Sequence, residues 1–155
     1  MTGRSSHLDI VGQATGWVAA AAAVEARAGD VVPLFATATT RHVIVAGCGS
    51  PYFLAESAAA IWQRELGQAI VVAHPASDVV ERAADLVRWP DATTLVAISR
   101  SGSTTELLEA IGAFRRAGGR RVLAITCRAA SPLAASADVA VAFDDGFESS
   151  VAQTR

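Results

Sequence analysis

The sequence predicts an α/β fold, a doubly wound five-stranded parallel sheet sandwiched by helices. Three observations predict it. Short continuous apolar runs recur along the chain, a helical pattern follows most of them, and Gly/Ser-rich loops stand after Ala46 and after Ile98. Strands buried on both faces read as unbroken apolar runs, and alternation of such runs with helices points to parallel pairing. In an open parallel sheet, ligands bind outside the carboxyl ends of the strands. Both polar loops fall there.

The elements follow in order. Gln13 to Arg27 reads as one alanine-rich helix, stopped by Gly29-Asp30, with His7 in a frayed tail before it. His42 to Ala46 is a β-branched run that ends in Gly47-Cys48-Gly49-Ser50, and a helix extends from about Pro51 to Leu66, closed by Gly67. Ala69 to Ala73 is the second strand, with a helix from Ser77 to Val87 after it. Thr94 to Ile98 is the third, and the loop Ser99 to Ser103 leads into a helix from Thr104 to Ala117. Val122 to Thr126 and Val139 to Phe143 complete the sheet, with a short helical segment near Leu133 between them.

Bulk properties exclude several classes. At 155 residues the chain suits one domain with its own core. With 52% hydrophobic and 18% charged residues it is globular, not disordered. A net charge of −2, with no basic patch interleaved with aromatics, argues against nucleic-acid binding. No apolar run reaches the roughly 20 residues of a membrane span, and the N-terminus lacks a secretory signal. A cytoplasmic protein is expected. Cys48 and Cys127 show no zinc-site spacing, so no metal is expected and no organic cofactor is implied. All 13 basic residues are arginine, as codon bias alone would produce. The chain therefore contains no lysine for a Schiff base and no Walker A loop.

Chemistry concentrates at the third strand's end. Ser99, Ser101, Ser103 and Thr104 surround Gly102 just before a helix. One hydroxyl suffices to cap a helix. Four, beside a glycine that permits close approach, equally suit a donor-lined cup in which amides and the helix dipole hold an anion. Both readings stand on these residues alone.

Four segments resemble one family, the sugar isomerase (SIS) phosphosugar-binding domains. Asp9-Ile10-Val11-Gly12-Gln13 with Ala14 and Trp17 is similar to an entry motif of its aminotransferase/deaminase branch, with Ala14 in place of Pro. Ala46 to Ser50 resembles the first loop, and Ser99-Arg100-Ser101-Gly102-Ser103-Thr104 resembles the phosphate loop Ser-x-Ser-Gly-x-Thr. Glu148-Ser149-Ser150-Val151-Ala152-Gln153-Thr154-Arg155 resembles Glu-x-x-Val-Ala-Ser-Thr-Lys, a segment that lines the sugar site. The resemblance is strongest to the first SIS domain of the glucosamine-6-phosphate synthase isomerase half, AgaS-like proteins and fructosamine-phosphate deglycases.

The resemblance implies a flavodoxin-like sandwich that binds a phosphorylated sugar. Ser99, Ser101 and Thr104, with the amides of Arg100, Gly102 and Ser103, would hold the phosphate. Cys48, Gly49 and Ser50 would meet sugar hydroxyls, and Val151, Ala152 and Gln153 would close the pocket. Glu148 is the candidate for proton transfer in isomerisation or deamination of a hexose 6-phosphate, against a structural role anchoring its loop. Pro51 replaces a hydroxyl residue and removes an amide donor. Gln153 and Arg155 replace Ser and Lys. Relatives carry a second SIS domain, so the chain is expected to be an N-terminal half that pairs with such a domain or with its own copy. Alone, it is expected to bind without turnover. The rival reading is a non-catalytic sugar-phosphate sensor.

Other single residues have plainer readings. The Arg100 side chain either adds a charge-assisted contact or points to solvent. Cys48 and Cys127 read as packing residues, and His42 and His74 as solvated strand boundaries. Trp17, Trp62 and Trp89 read as packing against the sheet or a neighbour.

Overall fold

Five strands, all parallel, lie in the order β2-β1-β3-β4-β5 in the computed structural model, which describes residues 2–36 and 38–147. They are β1 (His42–Gly47), β2 (Ile70–Pro75), β3 (Thr93–Ser99), β4 (Arg121–Thr126) and β5 (Val139–Ala142). This is the sheet the apolar runs predict. The chain steps from β1 out to β2, then returns across β1 to β3, so the winding reverses between β1 and β3. Their register pairs Gly47 with Ile98, which sets the two Gly/Ser loops side by side.

Alternation along each strand divides the core into two layers. Ile44, Ala46, Leu95, Ala97, Val122 and Ala124 face one side, where α5 (Ala76–Leu86), α6 (Thr105–Arg116) and α7 (Pro132–Ser136) cover them. Val43, Val45, Val96, Ile98 and Leu123 face the other, under α4 (Ser50–Glu65) and the N-terminal helices. Helix α6 shows why the sequence makes a helix there. Leu107, Ala110, Ile111 and Phe114, spaced for one helical stripe, are all buried. Arg115 and Arg116 stand in its last turn, where cations favour the helix dipole.

The N-terminal region differs from the single helix expected. Three helices precede β1: α1 (Thr2–Val11), α2 (Gln13–Ala26) and α3 (Ala28–Val31), then a 3-10 turn over Val32–Phe35. The polar sequence of α1 has no apolar stripe to betray it, and His7 lies in this helix, exposed. His42 is also a correction. It is buried, not solvated, and its Nδ1 lies 3.0 Å from the carbonyl oxygen of Leu86. Trp62 packs edge-on against Phe35 beside the core, whereas Trp17 is 64% exposed.

Candidate functional site

The loop between β3 and α6 is held from within and from behind. Inside it, Ser99 Oγ lies 2.9 Å from Thr104 Oγ1 and accepts a hydrogen bond from the amide of Gly102 at 3.1 Å. Ser101 Oγ accepts from the amide of Ser103 at 3.3 Å and from its hydroxyl at 3.2 Å. Behind it, the amide of Cys127 donates to the Arg100 carbonyl, and that of Leu133 to the Gly102 carbonyl. Thr126 Oγ1 also donates to the Arg100 carbonyl, at 3.4 Å.

Gly102 is required by this arrangement. Its φ is +66°, and a Cβ there would overlap the Ser131 side chain and approach Thr126 Oγ1 to 2.9 Å. Thr104 begins α6 in extended conformation, and no side chain caps the helix. First-turn amides have no intrahelical partners. The loop thus leaves the N-terminus of a three-turn helix uncapped beside exposed hydroxyls. Ser103 is exposed and Ser101 half-buried, but Ser99 is 2% exposed, so its hydroxyl chiefly shapes the loop.

The neighbouring loop is set by Gly47 and Gly49. A Cβ on Gly47 would lie 2.5 Å from the Pro51 carbonyl carbon, and Gly49 has φ +64° and ψ −130°. Cys48, Gly49 and Ser50 are exposed at this edge, with Ser50 opening α4. A cavity of about 330 Å³ joins the two loops through Ser50, Ser99 and Arg100. Trp17, Leu54, Ile98, Ile125 and Phe143 are among its lining residues, with Gly16 and Ala20 of α2. A second cavity, of about 540 Å³, lies between α3 and α4 and has Glu65 as its one charged lining residue. It involves neither loop.

Several contributors carried no signal in the sequence. Thr126 and Ser131, behind the loop, are buried hydroxyls that support Gly102 and Arg100. The guanidinium carbons of Arg100 and Arg128 lie 5.7 Å and 3.7 Å from the ring centre of Phe147, bringing positive charge to this edge. Beyond the first loop, Tyr52 donates to Glu56 Oε1 at 3.0 Å, and this bond, ahead of all other influences, raises the phenol above its ordinary range. His74 Nδ1 lies 3.7 Å from Asp78 Oδ2 at the end of β2. The structure brings Cys48 to Ser50 and Ser99 to Thr104 to one sheet edge. Glu148, Val151, Ala152 and Gln153 lie outside the described residues.

Comparison with known proteins gives this geometry its family. Residues 38–155 match the model of the SIS domain. The chain belongs to the SIS domain family. Among curated proteins, none matches the sequence significantly. Solved structures similar to this SIS domain include tagatose-6-phosphate ketose/aldose isomerase from Escherichia coli, at 22% identity and a TM-score of 0.72, over 87% of this chain and 38% of that one. The C-terminal domain of glucosamine-fructose-6-phosphate aminotransferase from Francisella tularensis is 26% identical, with a TM-score of 0.63, over 75% of this chain and 31% of that one. Glucosamine-6-phosphate deaminase from Thermotoga maritima is 23% identical, with a TM-score of 0.59, over 81% and 40%. This SIS domain therefore spans only about a third to two-fifths of those chains. Among its described residues, no helix is long and apolar enough to cross a membrane, and no His/Cys/Asp/Glu group could hold a metal ion.

Proposed function

We propose that this SIS domain binds a hexose 6-phosphate as the phosphosugar-binding part of a cytoplasmic sugar-phosphate or aminosugar-phosphate isomerase or deaminase. One observation carries the reading: a loop rich in hydroxyls, preorganised by its own hydrogen bonds, adjoins the uncapped N-terminus of α6 and borders, through Ser99 and Arg100, a cavity of about 330 Å³. Oriented amides and a helix N-terminus favour a dianion, and a loop already in shape loses little entropy when one arrives. Ser101, Ser103 and Thr104, with the backbone of Arg100 to Ser103, are the phosphate contacts. Cys48 to Ser50 meet the sugar, and Val151 to Gln153 cover it.

The chemistry assigned to the whole protein moves a proton between C1 and C2 of the open-chain sugar. A carboxylate takes the proton from one carbon as the carbonyl oxygen gains a proton, giving an enediol; the acid then returns its proton to the other carbon as the hydroxyl there loses its own and becomes the new carbonyl. Glu148 is the residue we assign to that step. The branch we favour is the first SIS domain of two-domain proteins, paired with a sister SIS domain that completes the site; a second copy would pair with it without supplying those groups. A second reading, a non-catalytic sugar-phosphate sensor, draws support from the absence of any lysine in the sequence. Calorimetric titration with fructose 6-phosphate and with free fructose tests the binding. The phosphate should bind far more tightly, and equal affinities would remove the phosphate assignment.

A further inference from the structure

We propose that the cavity between α3 and α4 is a second binding site, one that takes an organic ammonium ion with an apolar body. The inference is independent of the phosphate reading. Helix α4 starts at the carboxyl end of β1 and its last turn leads into β2, so this cavity lies at the opposite edge of the sheet from the hydroxyl loops.

The cavity is formed before any ligand arrives. Its volume is about 540 Å³, within the range of about 300–1,000 Å³ that small-molecule sites occupy. Val31, Val32 and Phe35 line it from one side, and Trp62, Glu65 and Leu66 from the other. Each side is tied to the sheet. Thr40 Oγ1 and Thr94 Oγ1 donate to the Leu34 carbonyl at 3.2 Å and 2.7 Å, which fixes the 3-10 turn that carries Phe35. Gln63 Nε2 donates to the Ala69 carbonyl at 2.9 Å, and Gln63 Oε1 accepts from the Val71 amide at 2.8 Å, which fixes the last turn of α4 against the start of β2. Phe35 and Trp62 meet edge to face with ring centres 5.8 Å apart. Walls held in this way need little reordering to receive a ligand.

Charge decides the class of ligand. Glu65 is the one charged residue among the described lining residues, and none of the described residues forms an ion pair or hydrogen bond with its carboxylate. It closes the final turn of α4, where the helix dipole and the free carbonyl groups already present negative charge. Neighbouring charges do not neutralise it. Arg27 is paired with Asp30 of α3 at 3.2 Å. Arg64 shares the last turn of α4 but is not among the described lining residues, and adjacent helix positions do not face each other. A cation would therefore meet a carboxylate, a negative helix end and two aromatic rings, whose faces attract positive charge. The same groups repel an anion, and a neutral ligand leaves the carboxylate without a partner.

The test is heteronuclear NMR titration of the 155-residue chain with phenethylammonium, 2-phenylethanol and phenylacetate, which share an aromatic body and differ in charge. Phenethylammonium should bind about fivefold or more tightly than the alcohol, from the ranges for an exposed cation–π contact and an exposed ion pair. Phenylacetate should bind most weakly. Shifts should centre on the indole N–H of Trp62 and the amide of Leu66. Glu65→Gln, a change at an exposed position, should cut the ammonium-to-alcohol ratio by about threefold and leave the affinity for the alcohol unchanged. Equal affinities for the three, a ratio untouched by Glu65→Gln, or shifts centred on Trp17 in place of Trp62 would overturn the assignment. So would the absence of any shift at Trp62 in millimolar phenethylammonium, whether the cavity stays empty or a second copy covers it.

Discussion

Ser99 Oγ stands 2.9 Å from Thr104 Oγ1 across the mouth of the β3–α6 loop. The contact joins the last residue of a buried strand to the first residue before a helix, and it closes the loop without a ligand. Because Ser99 also receives the Gly102 amide, one buried hydroxyl fixes both the turn and the start of α6.

That arrangement separates two roles in the proposed phosphate site. Ser101→Ala should remove a direct donor, lowering affinity for fructose 6-phosphate by about 1.5–3 kcal/mol, the usual range for hydrogen bonds to charged groups. Thr104→Val should cost at least as much, because it also releases Ser99 from its partner. Affinity for free fructose should change little in either variant. Calorimetry decides, and a loss shared equally by sugar and sugar phosphate would count against phosphate contacts.

The two left-handed loop glycines should differ when substituted. Gly102→Ala meets both an unfavourable φ and the Ser131 side chain. Backbone strain of about 1–2 kcal/mol adds there to overpacking of about 1–3 kcal/mol. Gly49 has nothing within 4 Å of the added Cβ, so Gly49→Ala carries only the strain of its Gly-favoured conformation, about 1–3 kcal/mol. Urea unfolding should show the larger loss at Gly102. The reverse order would mean that Ser131 moves aside freely.

The sheet was legible because each strand is an unbroken apolar run, and the loops because hydroxyls are conspicuous in so apolar a chain. What lay hidden depends on contacts between distant segments. Nothing near Thr126 or Ser131 announces that they brace Gly102 from across the sheet edge. His42 looks like a polar strand boundary until the C-terminus of α5 arrives over it with the Leu86 carbonyl. The separate helix α1 was missed because its polar residues give no amphipathic period, and its Leu8, Ile10 and Val11 remain exposed.

His42 also makes stability depend on pH. Burial is the largest influence and lowers its pKa below 6.5; the bond to the Leu86 carbonyl opposes the shift, and His74 adds a smaller lowering. The folded state therefore binds fewer protons than the unfolded state as pH falls below 6.5. Stability is fully present above pH 6.5 and is lost as pH drops towards the lower folded value. Chemical denaturation from pH 8 to pH 5 should show this decline, and His42→Gln should flatten it. Identical slopes in the two proteins would show that other groups set the dependence.

The exposed apolar helices lead to the last prediction. Trp17 and Val18 on α2 are 64% and 71% exposed, and Leu8, Ile10 and Val11 on α1 lie bare as well. Apolar patches larger than a few hundred Å² are uncommon on soluble monomers. The relatives described above are more than twice as long as this chain, and a sister SIS domain is the cover we propose for this surface. Supplied alone, the chain should cover it with a second copy, the simplest closed arrangement being a symmetric dimer. Sedimentation at micromolar concentration should show a dimer, and Val18→Glu should shift it towards monomer. A single monomeric species in the unmutated protein would end the idea. Pairing should not create a full enzyme, however. A second copy supplies neither a lysine for a Schiff base nor the groups the proposed site draws from a sister domain, so isomerisation or deamination of hexose 6-phosphates should stay near background even where the dimer forms. Robust turnover by this chain would overturn its assignment as a binding half and would place the catalytic groups within the 155 residues.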